Sequence, residues 1–163
     1  MKIKFIELTE VNLASTFIWK VFSEFVAHEY PQEGIDTFKE FIQPEELQKM
    51  IENEKIFMLG CFYMEKLVGT VAIMDFCHVS LLFVDKEYQC RGIAKALFAK
   101  ALELCIQKNP ELCEMTVNSS TYAVPIYKRL GFHITGEPTK NNGIIFVPMK
   151  MNIIQNNFIT LKK

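Results

Sequence analysis

The sequence predicts a mixed α/β fold in which helices flank a mainly antiparallel central sheet. Apolar runs with strand character recur along the 163-residue chain, and two of them, residues 55–63 and 67–75, are joined by a turn short enough for a hairpin. Segments with helical periodicity separate the strands, one set before residue 55 and another after residue 92. Because no repeat, low-complexity tract or linker divides the chain, we expect one domain spanning residues 1–163.

The first half of the chain contains a strand, two or three helices and three strands. IKFIEL alternates like a strand, and residues 12–54 follow a helical pattern that is broken at YPQEG and at Pro44. KIFMLGCFY and LVGTVAIMD form the hairpin, joined by MEK, and HVSLLFV is a further strand.

The second half alternates helices and strands before a final hairpin. A helix runs from the glycine of YQCRGIAKALF to about Lys108, where Pro110 ends it. CEMTVN follows as a strand and YAVPIYKRL as a short helix capped by Gly131. FHITGE and GIIFVPMKM flank Asn142-Gly143, a strong hairpin turn signal.

Composition excludes several functional classes. A net charge of −1 leaves no electrostatic footprint for nucleic acid, and the apolar run LVGTVAIM stops at Asp75, too short to span a membrane. The N-terminus lacks a signal-peptide core, and the five cysteines are odd in number without a C-x-x-C pair. We therefore expect reduced thiols, a cytoplasmic protein and no metal.

A single glycine marks the start of the long helix. In YQCRGIAKALF, a strand runs through Gly92 into helical periodicity, with Arg91 and Lys95 adding positive charge beside it. The free N–H groups at a helix N-terminus hold anions, and a phosphate can lie on that backbone where no side chain blocks it. An ordinary strand-to-helix turn would also need one flexible residue, so the motif alone leaves both interpretations open.

The surroundings favour the phosphate site. QCRGIA resembles the Q/R-x-x-G-x-G/A loop of the GNAT superfamily of N-acetyltransferases, and the resemblance extends from about residue 55 to residue 151. It implies a GNAT-like fold, acetyl-coenzyme A as co-substrate, its pyrophosphate on this loop, and its pantetheine amides along SLLFV. The implied cofactor-binding residues are Leu82, Phe83, Val84, Gln89, Cys90, Arg91, Gly92, Ile93, Ala94, Lys95, Asn118 and Tyr127.

A second block carries the same resemblance. TVNSSTYAVPIYKRLGF is similar to the family's next strand and helix, ending in Y-x-x-x-G-F at Tyr127 to Phe132. The resemblance makes Tyr127 the residue that faces the coenzyme sulfur, as proton donor or as a hydrogen-bond donor that orients it; the alternative is a packing tyrosine. Asn118 binds the coenzyme or an ordered water by the same resemblance, although Asn118, Ser119 and Ser120 would also serve as helix caps.

The general base has two candidates. His78 lies fourteen residues before Gly92, an offset that resembles the position of catalytic acid–base residues in this superfamily. A neutral imidazole can accept a proton at pH 7, though a strand histidine is commonly only bonded to backbone. Glu33 is the second choice, ahead of Glu29 and Asp36, because Gly34 after it indicates a constrained turn in a loop that borders the acceptor site in this family.

These features predict direct acetyl transfer from acetyl-coenzyme A to a primary amine. The alternatives are a protein or peptide N-acetyltransferase and a non-catalytic acyl-coenzyme A sensor. Between residues 24 and 54, nine acidic residues stand against two lysines, which favours a small cationic acceptor unless these helices simply present charge to solvent. The tail NIIQNNFITLKK could extend the last strand or pack on a partner, including a second copy of the chain.

Overall fold

The structure, a computed structural model, describes residues 1–154. Its N-terminal half contains β1 (Lys2–Phe5), α1 (Val11–Phe25), α2 (Gln32–Phe41), α3 (Pro44–Glu52), β2 (Ile56–Tyr63), β3 (Lys66–Met74) and β4 (His78–Val84). The C-terminal half contains α4 (Ile93–Lys108), β5 (Glu114–Ser119), α5 (Val124–Leu130), β6 (His133–Ile134), β7 (Thr139–Asn141) and β8 (Ile144–Asn152). Short 3₁₀ turns precede α1, α2 and the loop before α4.

The strands form a mainly antiparallel sheet, as predicted. Their order is β1-β2-β3-β4-β5-β8-β6, and β7 pairs with the first three residues of β8. The β4–β5 pair is parallel and joins only His78 with Thr116 and Val79 with Val117. Beyond these two positions β4 and β5 do not pair, and we call the space between the rest of these two strands the gap.

Two hydrophobic clusters cover the two faces of the sheet. On one face, which we call the α4 face, α4 and α5 pack with residues such as Leu97, Phe98 and Phe132 against β2–β5 and β8. On the other, the α1 face, α1, α2 and α3 pack with residues such as Ile18 and Leu47 against β1–β4. Alternation along each strand therefore decides which side chains face which group of helices.

Three local predictions were wrong in their limits. The break at YPQEG lies at Pro31, so Glu33 and Gly34 lie in the first turn of α2 and not in a loop. Pro31 is the N-cap, where its fixed φ of −64° suits a helix start. The strand predicted at IKFIEL ends at Phe5, and the strand predicted at FHITGE shortens to His133–Ile134.

The Asn142-Gly143 turn is where the sequence predicts it. Both residues have positive φ, 50° and 78°, as a tight hairpin turn requires, and the strand before the turn is β7. The prediction that the tail NIIQNNFITLKK extends the last strand or packs on a partner falls mostly on residues 155–163, which lie outside the described part of the chain. Among the described residues no helix is both long and apolar enough to cross a bilayer.

Candidate active site

The gap between β4 and β5 presents unused backbone amides. Asp85 N–H donates to Val68 O of β3 at 2.9 Å, which fixes the alternation along the end of β4. Phe83, two residues before Asp85 and paired with Thr70, directs its N–H group towards β3 in the same way. The N–H groups of Leu82 and Val84 therefore point the opposite way, into the gap. Phe83 contributes its ring instead, whose centroid lies 6.0 Å from that of Phe38 on the α1 face. An extended chain of amides can pair with Leu82 and Val84 as an added strand would.

A β-bulge marks the point where the two strands part. The register of β3 with β4 shifts between Ala72–Leu81 and Ile73–Val79, which leaves Ser80 as the extra residue. Ser80 Oγ is buried and has no hydrogen-bond partner among the described residues. A buried hydroxyl without a partner at the closed end of a gap is a place where a polar group of a ligand fits. Sequence inspection missed Ser80, because a serine in a strand carries no signal of its own.

The loop before α4 has the geometry of an anion site. Gly92 is the N-cap of α4 with φ of 79°, a left-handed conformation that favours glycine, and the space where its Cβ would stand is open. The first helical bond runs from Ala96 N–H to Gly92 O, so the amides of Ile93, Ala94 and Lys95 have no partner within the helix. These free donors and the open space above Gly92 suit a phosphate.

Side chains around this loop are organised by Gln89. Its Nε2 donates to Val84 O at 3.1 Å, and its Oε1 accepts from the Tyr122 hydroxyl at 3.4 Å. Cys90 is exposed with φ of 60°, and the Arg91 guanidinium stacks over the Tyr88 ring at 5.2 Å. The side chain of Gln89 therefore fastens the loop to β4 and to the loop after β5, whereas Arg91 and Lys95 stay exposed.

Tyr127 is buried in the cluster on the α4 face. Its ring packs edge-on against Phe132 with centroids 5.5 Å apart, and only 5% of the residue is exposed. Burial raises the pKa of the Tyr127 hydroxyl far above its ordinary value. A phenol of ordinary pKa already donates to a thiolate uphill by ~2 kcal/mol, so burial makes full proton transfer harder and leaves hydrogen-bond donation intact.

The sequence offers Asn118 as a ligand-binding residue and Asn118, Ser119 and Ser120 as caps of α5, and none of the three is the N-cap of that helix. Ser120 Oγ accepts from Ala123 N–H at 3.2 Å and Ser119 Oγ donates to Ser120 O at 2.7 Å, so Ser120 stabilises the turn before α5. Asn118 is exposed on β5 beyond the last pair with β4. The N-cap of α5 is Ala123, without a side-chain cap, so Asn118 does not cap this helix and its binding role stays a prediction.

His78 lies at the closed end of the gap on the same face as Thr116. Its Nδ1 is 2.7 Å from Thr116 Oγ1, a contact that the sequence did not reveal because the residues lie on different strands. Burial lowers the pKa of His78 below its ordinary value, and the nearby Asp75 carboxylate opposes the shift in part. The imidazole is therefore neutral at pH 7, the form in which it can accept a proton.

Helix α2 crosses the gap on the α1 face. The Phe38 ring lies 3.9 Å from the Phe22 ring of α1, and at its other end α2 meets the β7–β8 turn. There a Cβ on Gly34 would lie 2.1 Å from Gly143 O, and Thr37 Oγ1 donates to Asn142 O at 2.8 Å. We call this contact of Gly34 and Thr37 with Asn142 and Gly143 the α2–hairpin junction. Because β5 lies between β4 and β8 in the sheet, a helix that runs from Phe83 of β4 to this junction passes over the gap on the α1 face.

The acidic residues named in the following sentences, all from the segment 24–54, lie on outer surfaces of the helices and not in the gap. Glu24 forms an ion pair with Lys86 at 3.3 Å. Glu33 and Asp36 are exposed on α2. A cleft of about 560 Å³ at the junction of α2 and α3 is lined in part by Glu40, Glu45 and Glu46. Within the described part of the chain, no group of three or more His, Cys, Asp or Glu side chains could hold a metal ion.

Comparison with known proteins agrees with this geometry. Residues 26–153 match the family described as the acetyltransferase (GNAT) domain. The peptidyl-lysine N-acetyltransferase YjaB of Salmonella typhimurium is 37% identical over 59 residues, which is 36% of this chain and 38% of that protein. The match thus spans little more than a third of the relative's length.

Solved structures share the fold at low sequence identity. The PaiA N-acetyltransferase of Thermoplasma acidophilum in complex with coenzyme A has a TM-score of 0.75 at 19% identity, covering 94% of this chain and 100% of that one. An aminoglycoside 6'-N-acetyltransferase complexed with coenzyme A has a TM-score of 0.66 at 12% identity, covering 94% and 98%. Both of these proteins, which share the fold of this chain, were crystallised with coenzyme A.

Proposed function

Because the chain belongs to the GNAT family of acetyltransferases, with acetyl-coenzyme A as co-substrate, we propose that it acetylates a primary amine of a small cationic molecule by direct transfer. The α2–hairpin junction is the observation that carries the choice of a small acceptor. It holds α2 over the gap on the α1 face, so we expect an acceptor to enter from the side, a path that suits a small molecule better than an extended polypeptide.

The chain's own residues supply the steps around the acetyl donor. Acetyl-coenzyme A brings the acetyl group as an activated thioester. The amides of Ile93, Ala94 and Lys95 bind the pyrophosphate, and those of Leu82 and Val84 pair with the pantetheine arm. These contacts bring the thioester to the closed end of the gap near Ser80. Tyr127, which packs on the α4 face, orients the sulfur by donating a hydrogen bond.

His78 takes the proton that the attacking amine must lose. An alkyl ammonium has a pKa near 10.4, so nearly all of the acceptor arrives protonated at pH 7. The imidazole is neutral there, and Thr116 beside Nδ1 fixes the orientation of the ring. Glu33 is a weaker candidate for the base, since it is exposed on the surface of α2. Transfer through Cys90 is disfavoured because that thiol lies in the pyrophosphate loop.

Acetylation of a lysine in a protein is the second candidate. The similarity to a peptidyl-lysine N-acetyltransferase over 59 residues favours it, since a lysine side chain is itself a primary alkyl amine. A protein acceptor would require the α2–hairpin junction to part or a lysine to enter from the side. A non-catalytic sensor has no observation of its own in support.

A competition assay separates the two candidates. Purified enzyme is given acetyl-coenzyme A with a panel of small cationic, neutral and acidic amines and with lysine peptides, and free thiol is measured at low and raised salt. We expect the highest kcat/KM for small cationic amines, falling several-fold as salt screens the charges. Preference for peptides, or for neutral or acidic amines, would overturn the small cationic acceptor.

A further inference from the structure

Glu29 has a buried carboxylate oxygen without a partner. The residue ends the 3₁₀ turn Ala27–Glu29 that joins α1 to α2. Among the described residues, the buried side-chain oxygens or nitrogens that lack a hydrogen bond are Glu29 Oε2 and Ser80 Oγ. Carboxylate oxygens inside proteins are normally paired with donors or cations, because burial removes the water that would otherwise solvate them. A missing donor is therefore expected at Glu29.

The chain that carries Glu29 passes over the end of β5. Before it, the Phe25 ring stacks on Tyr122, which follows β5, with centroids 5.2 Å apart. After it, Gly34 lies against Gly143, which precedes β8. The chain between Phe25 and Gly34 thus passes over the end of β5 on the α1 face, and Glu29 lies midway along it. An acceptor that enters the gap on the α1 face passes this segment and can supply the missing donor.

Aromatic rings line the same region. The Tyr30 ring is 5.6 Å from Phe22, and Phe38 continues the row to Phe83 of β4, with its ring 6.0 Å from that of Phe83. Burial raises the pKa of Tyr30 to about 12, and the negative charge of Glu29 adds to the shift. A carboxylate beside aromatic rings suits an ammonium group carried on an apolar chain.

We propose that the Glu29 carboxylate binds a second, non-reacting ammonium group of the acceptor, so that the acceptor is an alkyl diamine or a longer polyamine-like cation. This rests on the proposed function. The reacting nitrogen must lose its proton, and a carboxylate held against it would favour the protonated form. A cationic group elsewhere on the acceptor gains from the same carboxylate without that cost. Glu33, exposed on the next helix, is not placed to share this role.

The test compares two acceptors with the same four-carbon chain on four proteins. 1,4-Diaminobutane and butylamine are assayed with wild type, Glu29→Gln, Glu29→Asp and the control Glu40→Gln, which removes an exposed carboxylate of α2. For the diamine we expect Glu29→Gln to raise KM about tenfold to a hundredfold with kcat nearly unchanged, as for a lost charge-assisted hydrogen bond. For butylamine, Glu29→Gln should change KM less than about twofold, and Glu40→Gln should match wild type with both amines. Glu29→Asp, which keeps the charge, should recover part of the loss.

A binding measurement keeps this proposal separate from the proposed function. Calorimetry of the diamine with protein saturated with coenzyme A should show binding to wild type and its loss in Glu29→Gln, even if turnover is absent. Absence of turnover with every amine would count against the proposed function alone. Equal losses for both amines, or a diamine affinity that Glu29→Gln leaves unchanged, would overturn the role of Glu29.

Discussion

Substituting Gly34 by alanine tests whether the α2–hairpin junction closes the acceptor side of the gap. The new Cβ would lie 2.1 Å from Gly143 O and 2.6 Å from Gly143 C, both backbone atoms that no rotamer change can move. To reach the ~3.5 Å of ordinary contact, the two backbones must separate by about 1.4 Å. Overpacking of this kind costs ~1–3 kcal/mol, whereas alanine in a helix gains at most ~1 kcal/mol over glycine, so a net loss of stability is expected.

The functional consequence of Gly34→Ala should appear on the acceptor and not on the coenzyme. We expect a lower Tm, KM for a small amine raised by about tenfold, and unchanged coenzyme affinity, because the loop at Gly92 lies at α4. The ratio of peptide to small-amine acetylation should rise as the cover loosens. Gly136→Ala is the control, since its Cβ would meet only the Pro148 side chain, at 3.1 Å. An unchanged Tm with unchanged acceptor KM would refute the junction as a cover.

Three further substitutions test the rest of the site. Gly92→Glu should weaken coenzyme binding roughly tenfold to a hundredfold in calorimetry, because it places a side chain on a left-handed backbone and adds a negative charge. Equal affinity in wild type and variant would exclude the loop as the pyrophosphate site. Tyr127→Phe should lower kcat by roughly a hundredfold while coenzyme affinity stays nearly constant; unchanged turnover would leave Tyr127 a packing residue. His78→Ala should lose more rate than Glu33→Gln, most of all near neutral pH. In wild type the acid limb of kcat/KM should lie below pH 6.5, because burial lowers the pKa of His78. The reverse order of losses would move the base to Glu33.

The elements of the sheet could be predicted closely because their patterns are local. HVSLLFV became β4 at the same residues, and the helix after Gly92 ends at Lys108 as the following proline requires. The gap could not be predicted, since it arises where β4 and β5 fail to pair, and hydrophobic alternation does not show which strands are neighbours. The contact of His78 with Thr116 depends on that same unpredicted neighbourhood.

The acidic residues illustrate the limit at the site. The sequence favours Glu33 over Glu29 because Gly34, which follows Glu33, indicates a constrained turn. In the fold a glycine is required at position 34 because the Gly143 backbone approaches it closely. No turn lies there, since α2 already begins after its N-cap Pro31. The sequence does not show which carboxylate faces inward, because burial depends on how α1 and α2 pack. The buried oxygen of Glu29 could therefore not be predicted from the sequence.

The brief β4–β5 pairing also has a consequence for how the molecule opens. Strands β1 to β4 are joined by pairings between neighbours in the chain, as are β7 and β8, whereas two parallel register positions join the halves of the sheet at its centre. Units linked by few backbone hydrogen bonds open separately, and their amides exchange with solvent at different rates. Residues 2–84 and 114–152 should therefore behave as two cooperative units in hydrogen exchange. A coenzyme bound along Leu82 and Val84 would supply the missing rungs between them, so saturation with coenzyme should merge the two units into one.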